Sequence, residues 1–208
     1  MASRRLASPA LFICDIQEKF RGAIWEYPKL IVTAQKLLKA SEILSIPTYA
    51  TTQNGAKLGA VCSELTPSLN RLNAPIVDKT AFSMWVPGIK SHLDPSPSSS
   101  TDGAGSKPHA IAIVGIEAHI CVTQTALDLL AAGHRVYVLA DGVSSCNPAE
   151  VRVALARLRR EGVVVTTSES WLYEVMGDAS ISEFRQIAGL VKETKDSTRD
   201  SLETLCKI

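Results

Sequence analysis

Along the chain, short and nearly continuous apolar runs alternate with longer stretches in which apolar residues return every three or four positions. ALFICDIQ (10–17), IPTYATTQ (46–53), PIVDKT (75–80), HAIAIVGI (109–116), RVYVLAD (135–141) and VVVTTSE (163–169) carry Val, Ile, Tyr and Thr in their interiors, the composition of strands. PKLIVTAQKLLKASEIL (28–44), VTQTALDLLAAG (122–133) and PAEVRVALARLRREG (148–162) have helical spacing, with prolines near two starts and glycines after two ends. Strands apolar on both faces, alternating with amphipathic helices, predict a mostly parallel sheet covered on both sides. The expected fold class is therefore α/β, a three-layer α/β/α sandwich on six strands.

One segment breaks this rhythm. DPSPSSSTDGAGSKP (94–108) is almost entirely Pro, Ser, Gly and polar residues, so it predicts a mobile loop inserted in a single domain spanning 1–191. Its GAGSK is not a phosphate loop, because Lys107 is followed by Pro108 and no apolar strand leads into it. Residues 192–208, KETKDSTRDSLETLCKI, read as a polar tail that frays or packs loosely on a partner.

Composition narrows the classes of partner. The 208 residues are 46% hydrophobic with a net charge of +1, so a sizeable core is affordable and no bulk field favours nucleic acid or a membrane surface. No apolar run reaches the ~20 residues of a membrane helix. MASRRLASP has two arginines and no acid, as mitochondrial presequences do, but the first strand starts almost at once. A cytoplasmic location is expected, with the mitochondrion as the alternative. Five widely spaced cysteines without a C-x-x-C pair predict neither a disulfide framework nor a zinc site.

In open parallel sheets, ligands bind beyond the carboxyl ends of the strands. Three reactive residues fall there: Asp15 ends the first strand, Lys79 ends the third, and Cys121 opens the helix after the fourth. Each alone has an ordinary explanation as a cap, a solvated cation or a packed thiol. Together they make a complete set for amide cleavage, which needs a thiolate, a base for its proton, and a route for that proton to the leaving group. His119 is the rival partner for Cys121, but residues two apart on one helical turn project about 200° apart. It reads as pocket lining or a packed polar residue.

These residues also carry a resemblance. D-x-Q-x-x-F (Asp15, Gln17, Phe20), D-K-T-A-F-S (Asp78 to Ser83) and G-I-E-A-x-x-C-V (Gly115 to Val122), in this order, resemble the isochorismatase-like cysteine hydrolases from about Leu11 to Val191. LADGVSS (139–145), ALARLRREG (154–162) and TSESWLYEVMGDA (167–179) resemble its isochorismatase domain-containing protein 2 group in particular. The resemblance implies a catalytic triad of Asp15, Lys79 and Cys121 on a sheet of order 3-2-1-4-5-6. It also implies a cis peptide between Ile116 and Glu117, with the Glu117 and Cys121 backbone N–H groups as the oxyanion hole. Family members commonly pair or form rings, so a homo-oligomer is expected.

Two departures shape the expected activity. Nicotinamidases of this superfamily carry histidine metal ligands after the second strand, where this chain reads TTQNGAKLGAVCSEL with no histidine. No metal or other cofactor is therefore expected. Isochorismatases that cleave a vinyl ether generally lack the cysteine, so Cys121 favours attack on a carbonyl carbon. Gln17, Phe20, Gln53, Phe82, Trp85, His119 and Ile120 lie on the following loops and are the expected substrate contacts, around a small and mostly apolar pocket. The expected function is a metal-independent cysteine hydrolase of a small amide-like molecule. The alternative is an idle fold serving as a binding or regulatory module.

Overall fold

The computed structural model describes residues 5–93 and 108–206. The first strand, β1 (Pro9–Cys14), is followed by a single helical turn (Glu18–Phe20) and then by α1 (Tyr27–Leu44). β2 (Thr48–Gln53) leads through two short helices, α2 (Gly55–Leu58) and α3 (Thr66–Arg71), to β3 (Ile76–Lys79) and α4 (Pro87–Leu93). After β4 (Ala110–Gly115) come a π-helical turn (Ala118–Val122), α5 (Thr123–Ala131), β5 (Arg135–Val143), α6 (Pro148–Arg160) and β6 (Val164–Thr166). Three helices close the chain: α7 (Ser168–Met176), α8 (Phe184–Glu193) and α9 (Lys195–Leu205).

All six strands pair in parallel, in the order β3-β2-β1-β4-β5-β6. Every residue of β4 is buried, as a strand covered on both faces requires. Alternate residues feed two separate cores. On one face Leu11, Ile13, Ala112 and Val114 meet α1, Trp171 of α7 and Ile187 of α8. On the other, Phe12, Ile111 and Ile113 meet Ile89 of α4, Leu129 of α5 and Leu155 of α6. Each fully buried Leu, Ile or Phe contributes about 1.5–3 kcal/mol by leaving water. The strand order reverses between β1 and β4, so the loops after these two strands open a crevice at the sheet's carboxyl edge.

Gly115 ends β4 at φ +126°, and a Cβ there would lie 2.0 Å from the Cys14 carbonyl oxygen. Only glycine lets the two central strands approach this closely where the crevice begins. At the same level the peptide between Ile116 and Glu117 is cis.

The expected loop at 94–108 lies outside the described residues, apart from Pro108. The stretch after Val191 does not fray through its described part. It completes α8 and forms α9, where Thr198, Ser201 and Leu205 are buried. The holding contact is polar rather than apolar, which is why hydrophobic patterning missed it. Lys36 of α1 is buried and donates to Thr198 Oγ1 at 3.0 Å, and its Nζ lies 4.0 Å from Asp141 Oδ2. Asp141, at the end of β5, in turn accepts from the Ser168 backbone N–H at 2.7 Å and from the Ser168 hydroxyl. Burial lowers the Lys36 ammonium below the usual lysine range, with Asp141 partly opposing it. One satisfied cluster thus pins α1, β5, α7 and α9 together. Among the described residues no helix is long and apolar enough to cross a membrane.

Candidate active site

Asp15 follows β1 directly and takes the left-handed conformation, φ +51°. Aspartate tolerates that region better than most residues, and here it carries the carboxylate into the crevice. Asp15 is 1% exposed. Its Oδ1 accepts from Thr51 Oγ1 of β2 at 2.7 Å, and its Oδ2 accepts from Lys79 Nζ at 2.7 Å.

Lys79 ends β3, two strands away, and is equally buried. Besides Asp15, its ammonium donates to Gln53 Oε1 at 2.7 Å and faces the carbonyls of Phe82 at 3.0 Å and Ala81 at 3.2 Å. Four acceptors around three N–H bonds leave the charge fully solvated by protein, which a buried ion pair needs in order to persist. The register that pairs Gln53 with Lys79 across β2 and β3 sets this contact.

Cys121 lies in the π-helical turn that precedes α5, and it is almost buried. Ile120 N–H and Val122 N–H both donate to the Glu117 carbonyl, at 3.0 and 3.1 Å, while the Cys121 carbonyl accepts from Thr125 Oγ1 at 2.6 Å. A π-turn is a rare local geometry, frequent at functional sites. Here it fixes the thiol where the crevice narrows.

Asp15 and Cys121 face one cavity of about 180 Å³. Its apolar wall is Phe20, Leu58, Phe82, Ile116 and Ile120, and its polar wall adds Gln53 and Glu117. A broader groove of about 620 Å³ runs along α8 and α9, and the residues lining it include neither a cysteine nor a histidine. The small cavity is where reactive groups converge.

The residues expected around the pocket divide. Phe20, Gln53, Phe82 and Ile120 line it, whereas Gln17, Trp85 and His119 do not. Gln17 is completely buried and has its amide fully used: it donates to the Gly59 and Gln53 carbonyls at 2.7 and 3.3 Å and accepts from the Gln53 N–H at 2.8 Å. It clamps the α2 loop that carries Leu58. Trp85 packs edge-on against His134, with ring centres 5.1 Å apart, and Lys90 sits over its ring at 5.2 Å. It seals the second core instead of the crevice. His119 turns toward the loop after β5, where its Nδ1 lies 3.0 Å from Ser145 Oγ.

Sequence reasoning missed three neighbours. Thr51 and Leu58 had no distinguishing signal. Strand alternation alone would point Cys14 away from Asp15, yet its Sγ lies 3.7 Å from Asp15 Oδ2. The left-handed turn at Asp15 explains this, because alternation holds only while the backbone stays extended. Burial pushes the Cys14 thiol well above its ordinary range, helped by hydrogen bonding to Cys121 and by the Asp15 charge, while Lys79 opposes. Cys14 therefore stands beside Cys121 as a protonated neighbour.

Residues 9–170 match the isochorismatase domain model. The chain belongs to the isochorismatase family. It is 38% identical over 189 residues to a secreted isochorismatase effector, Isc1, of Phytophthora sojae, covering 89% of this chain and 85% of that one. Human isochorismatase domain-containing protein 2 is 37% identical, over 89% of this chain and 84% of its own. Among solved structures, the MAR1 ribonuclease of Caenorhabditis elegans superposes with a TM-score of 0.79 at 36% identity, covering 89% of this chain and 90% of that one. The octameric hydrolase YcaC of Escherichia coli shares the fold at 20% identity, with a TM-score of 0.74 and coverage of 97% and 93%. Membership of the isochorismatase family supports hydrolase chemistry in general.

Proposed function

We propose that the protein is a metal-independent cysteine hydrolase that cleaves the C–N bond of a small amide, with Cys121 as nucleophile and Asp15 and Lys79 completing a triad. The observation that carries this reading is the buried Lys79–Asp15 pair, 2.7 Å long, at the wall of the cavity that Cys121 enters. A buried ion pair is weak evidence for stability alone, since apolar residues of similar volume serve as well. Placed beside a thiol, it supplies what acyl transfer needs.

In the proposed reaction Asp15 accepts the Cys121 proton and the thiolate sulfur attacks the amide carbon. The carbonyl electrons move onto oxygen, where the backbone N–H groups of Glu117 and Cys121 hold the developing charge. Asp15 then gives its proton to the nitrogen as the C–N bond breaks, releasing the amine and leaving an acyl thioester. Water attacks that thioester while Asp15 takes its proton, and as the C–S bond breaks Asp15 returns that proton to the sulfur, releasing the acid and restoring the thiol. Lys79 keeps its charge throughout and orients the carboxylate.

The cavity sets the substrate class. At about 180 Å³ it is smaller than the ~300 Å³ lower end of drug-sized pockets, and its walls are mainly apolar. A short aliphatic or small-ring amide fits these dimensions. The C. elegans relative is described as a ribonuclease, but among the described residues a polyanion meets the Asp15 carboxylate and no cation on this cavity wall. Phosphate-bearing substrates are disfavoured on that ground. The octameric YcaC supports carrying a homo-oligomer to this chain, and Phe82, 51% exposed at the cavity mouth, is apolar surface for a second copy to cover.

The test is ammonia release from a panel of small primary amides, measured with and without EDTA. Hydrolysis that is indifferent to EDTA and absent in Asp15→Asn is the expected result. Wild-type rates in Asp15→Asn would remove the triad, and a panel with no turnover would favour an idle fold that binds without cleaving.

A further inference from the structure

Beyond the catalytic cavity, two groups of side chains bring His, Cys or carboxylate donor atoms close enough to share one cation: Glu18, Cys62 and Glu64, and Glu117, His119 and Cys146. Charge separates them. In the first group the Arg21 guanidinium already binds both Glu18 and Glu64, and it holds the Glu18 carboxyl down at about 2. A metal there would have to displace an arginine from two carboxylates. In the second group no guanidinium or ammonium intervenes among the described residues, and the His119 ring nitrogen Nδ1 lies 4.0 Å from Glu117 Oε2.

We propose that Glu117, His119 and Cys146 form a binding site for a thiophilic divalent cation, with Zn²⁺ as the reference ion, at the rim of the catalytic cavity. The donor set is one oxygen, one nitrogen and one sulfur, all within 4.8 Å of one another. Tetrahedral zinc binds these at about 2.0–2.3 Å, which places donor atoms about 3.3–3.7 Å apart. The three side chains need to close by only about 1 Å. Water fills the fourth position.

The two loops that supply the donors are already tied together. Ala118 N–H donates to the Ser144 carbonyl at 2.8 Å, Ser144 N–H to the Gly115 carbonyl at 3.3 Å, and Cys146 N–H to Glu117 Oε2 at 2.8 Å. Little ordering therefore remains to be done on binding. Nδ1, the His119 nitrogen nearest the Glu117 carboxylate, lies 3.0 Å from Ser145 Oγ, so the hydroxyl yields that nitrogen when the ion binds. Cys146 is exposed, so an ion reaches it directly. Its thiol is held above the usual range, first by its hydrogen bond to the Glu117 carboxylate. Binding replaces that proton with the metal and releases it to solvent, while the charges of thiolate and carboxylate neutralise those of the cation.

This site is separate from the proposed hydrolysis, which uses the backbone of Glu117 and none of the three side chains. It lies between β4 and β5, whereas the absence of histidine after β2 had argued against metal elsewhere. Sequence spacing gave no sign of it, because Cys146 is 27 residues beyond His119 and adjoins it only through the β4–β5 pairing.

The test is metal binding by the full chain, read without any activity assay. Zn²⁺ is titrated against a chromophoric chelator, and Co²⁺ is followed by absorption. The expected result is one Zn²⁺ per chain and a thiolate-to-Co²⁺ charge-transfer band in the near ultraviolet. In Cys146→Ala the band disappears and Zn²⁺ binds more than about tenfold more weakly, the low end of what even outer-sphere changes cost a metal site. His119→Ala weakens binding as well, while Cys121→Ala keeps both signals. No stoichiometric uptake by the wild type would overturn the proposal. So would a band that survives Cys146→Ala and vanishes in Cys121→Ala, which would place the ion on the nucleophile.

Discussion

The expected result for Cys121→Ala is loss of the proposed amide hydrolysis, with kcat/KM lowered by about 10⁴-fold or more, the scale on which loss of a nucleophile acts in enzymes whose catalytic residues work as a unit. The substitution removes one sulfur atom from a nearly buried position, so the fold persists. Cys14 does not rescue it, although it lies close by, because its thiol is fully buried and its pKa is raised. The check is ammonia release by wild type, Cys121→Ala and Cys14→Ala. Retained activity in Cys14→Ala assigns the chemistry to Cys121 alone. Activity retained in Cys121→Ala would place the nucleophile elsewhere, on a bound water or another residue.

Lys79→Met has the second large effect, and it divides between stability and rate. Removing the ammonium leaves the Asp15 carboxylate, 1% exposed, with Thr51 as its remaining side-chain oxygen donor. Breaking a buried pair from one side costs about 3–5 kcal/mol. The expected result is a lower midpoint of urea unfolding, with the proposed hydrolysis lost as well. Asp15→Asn/Lys79→Met removes both charges. Stability recovers most of the loss in this double variant, whereas activity does not, because the proton acceptor has gone as well. A double variant as unstable as Lys79→Met would mean that the lysine packs and does not compensate charge.

The chain's layout was legible because apolar runs and helical spacing are properties of sequence itself. Six strands and the helices α1, α5 and α6 follow from them, and so does the crevice at the carboxyl edge where Asp15, Lys79 and Cys121 fall. The short helices α2, α3 and α4 escaped because a few residues carry no period. α9 escaped for a different reason: its buried face is Thr198, Ser201 and Leu205, and Lys36 and Asp141 secure that region through charge and hydrogen bonds.

Side-chain direction was the harder part. Gln17 sits in the first motif, yet its amide is used on the backbone of the α2 loop. Trp85 follows the lysine motif, yet it turns to a cation and a histidine on the far core. Both are polar or aromatic residues near strand ends, and nothing in their spacing separates structural from pocket-facing use. Cys14 shows the converse case, where one left-handed residue brings together two side chains that alternation would separate.

The most direct test of a cysteine hydrolase is where the acyl group resides during turnover. The protein is mixed with an amide that it cleaves, quenched in acid within the first turnovers, digested and mapped by mass spectrometry. The account predicts an acyl group on the peptide carrying Cys121 and on no peptide carrying Cys14, Cys62, Cys146 or Cys206. Turnover with no adduct at Cys121, in a preparation whose Cys121→Ala variant hydrolyses the amide equally fast, would contradict it.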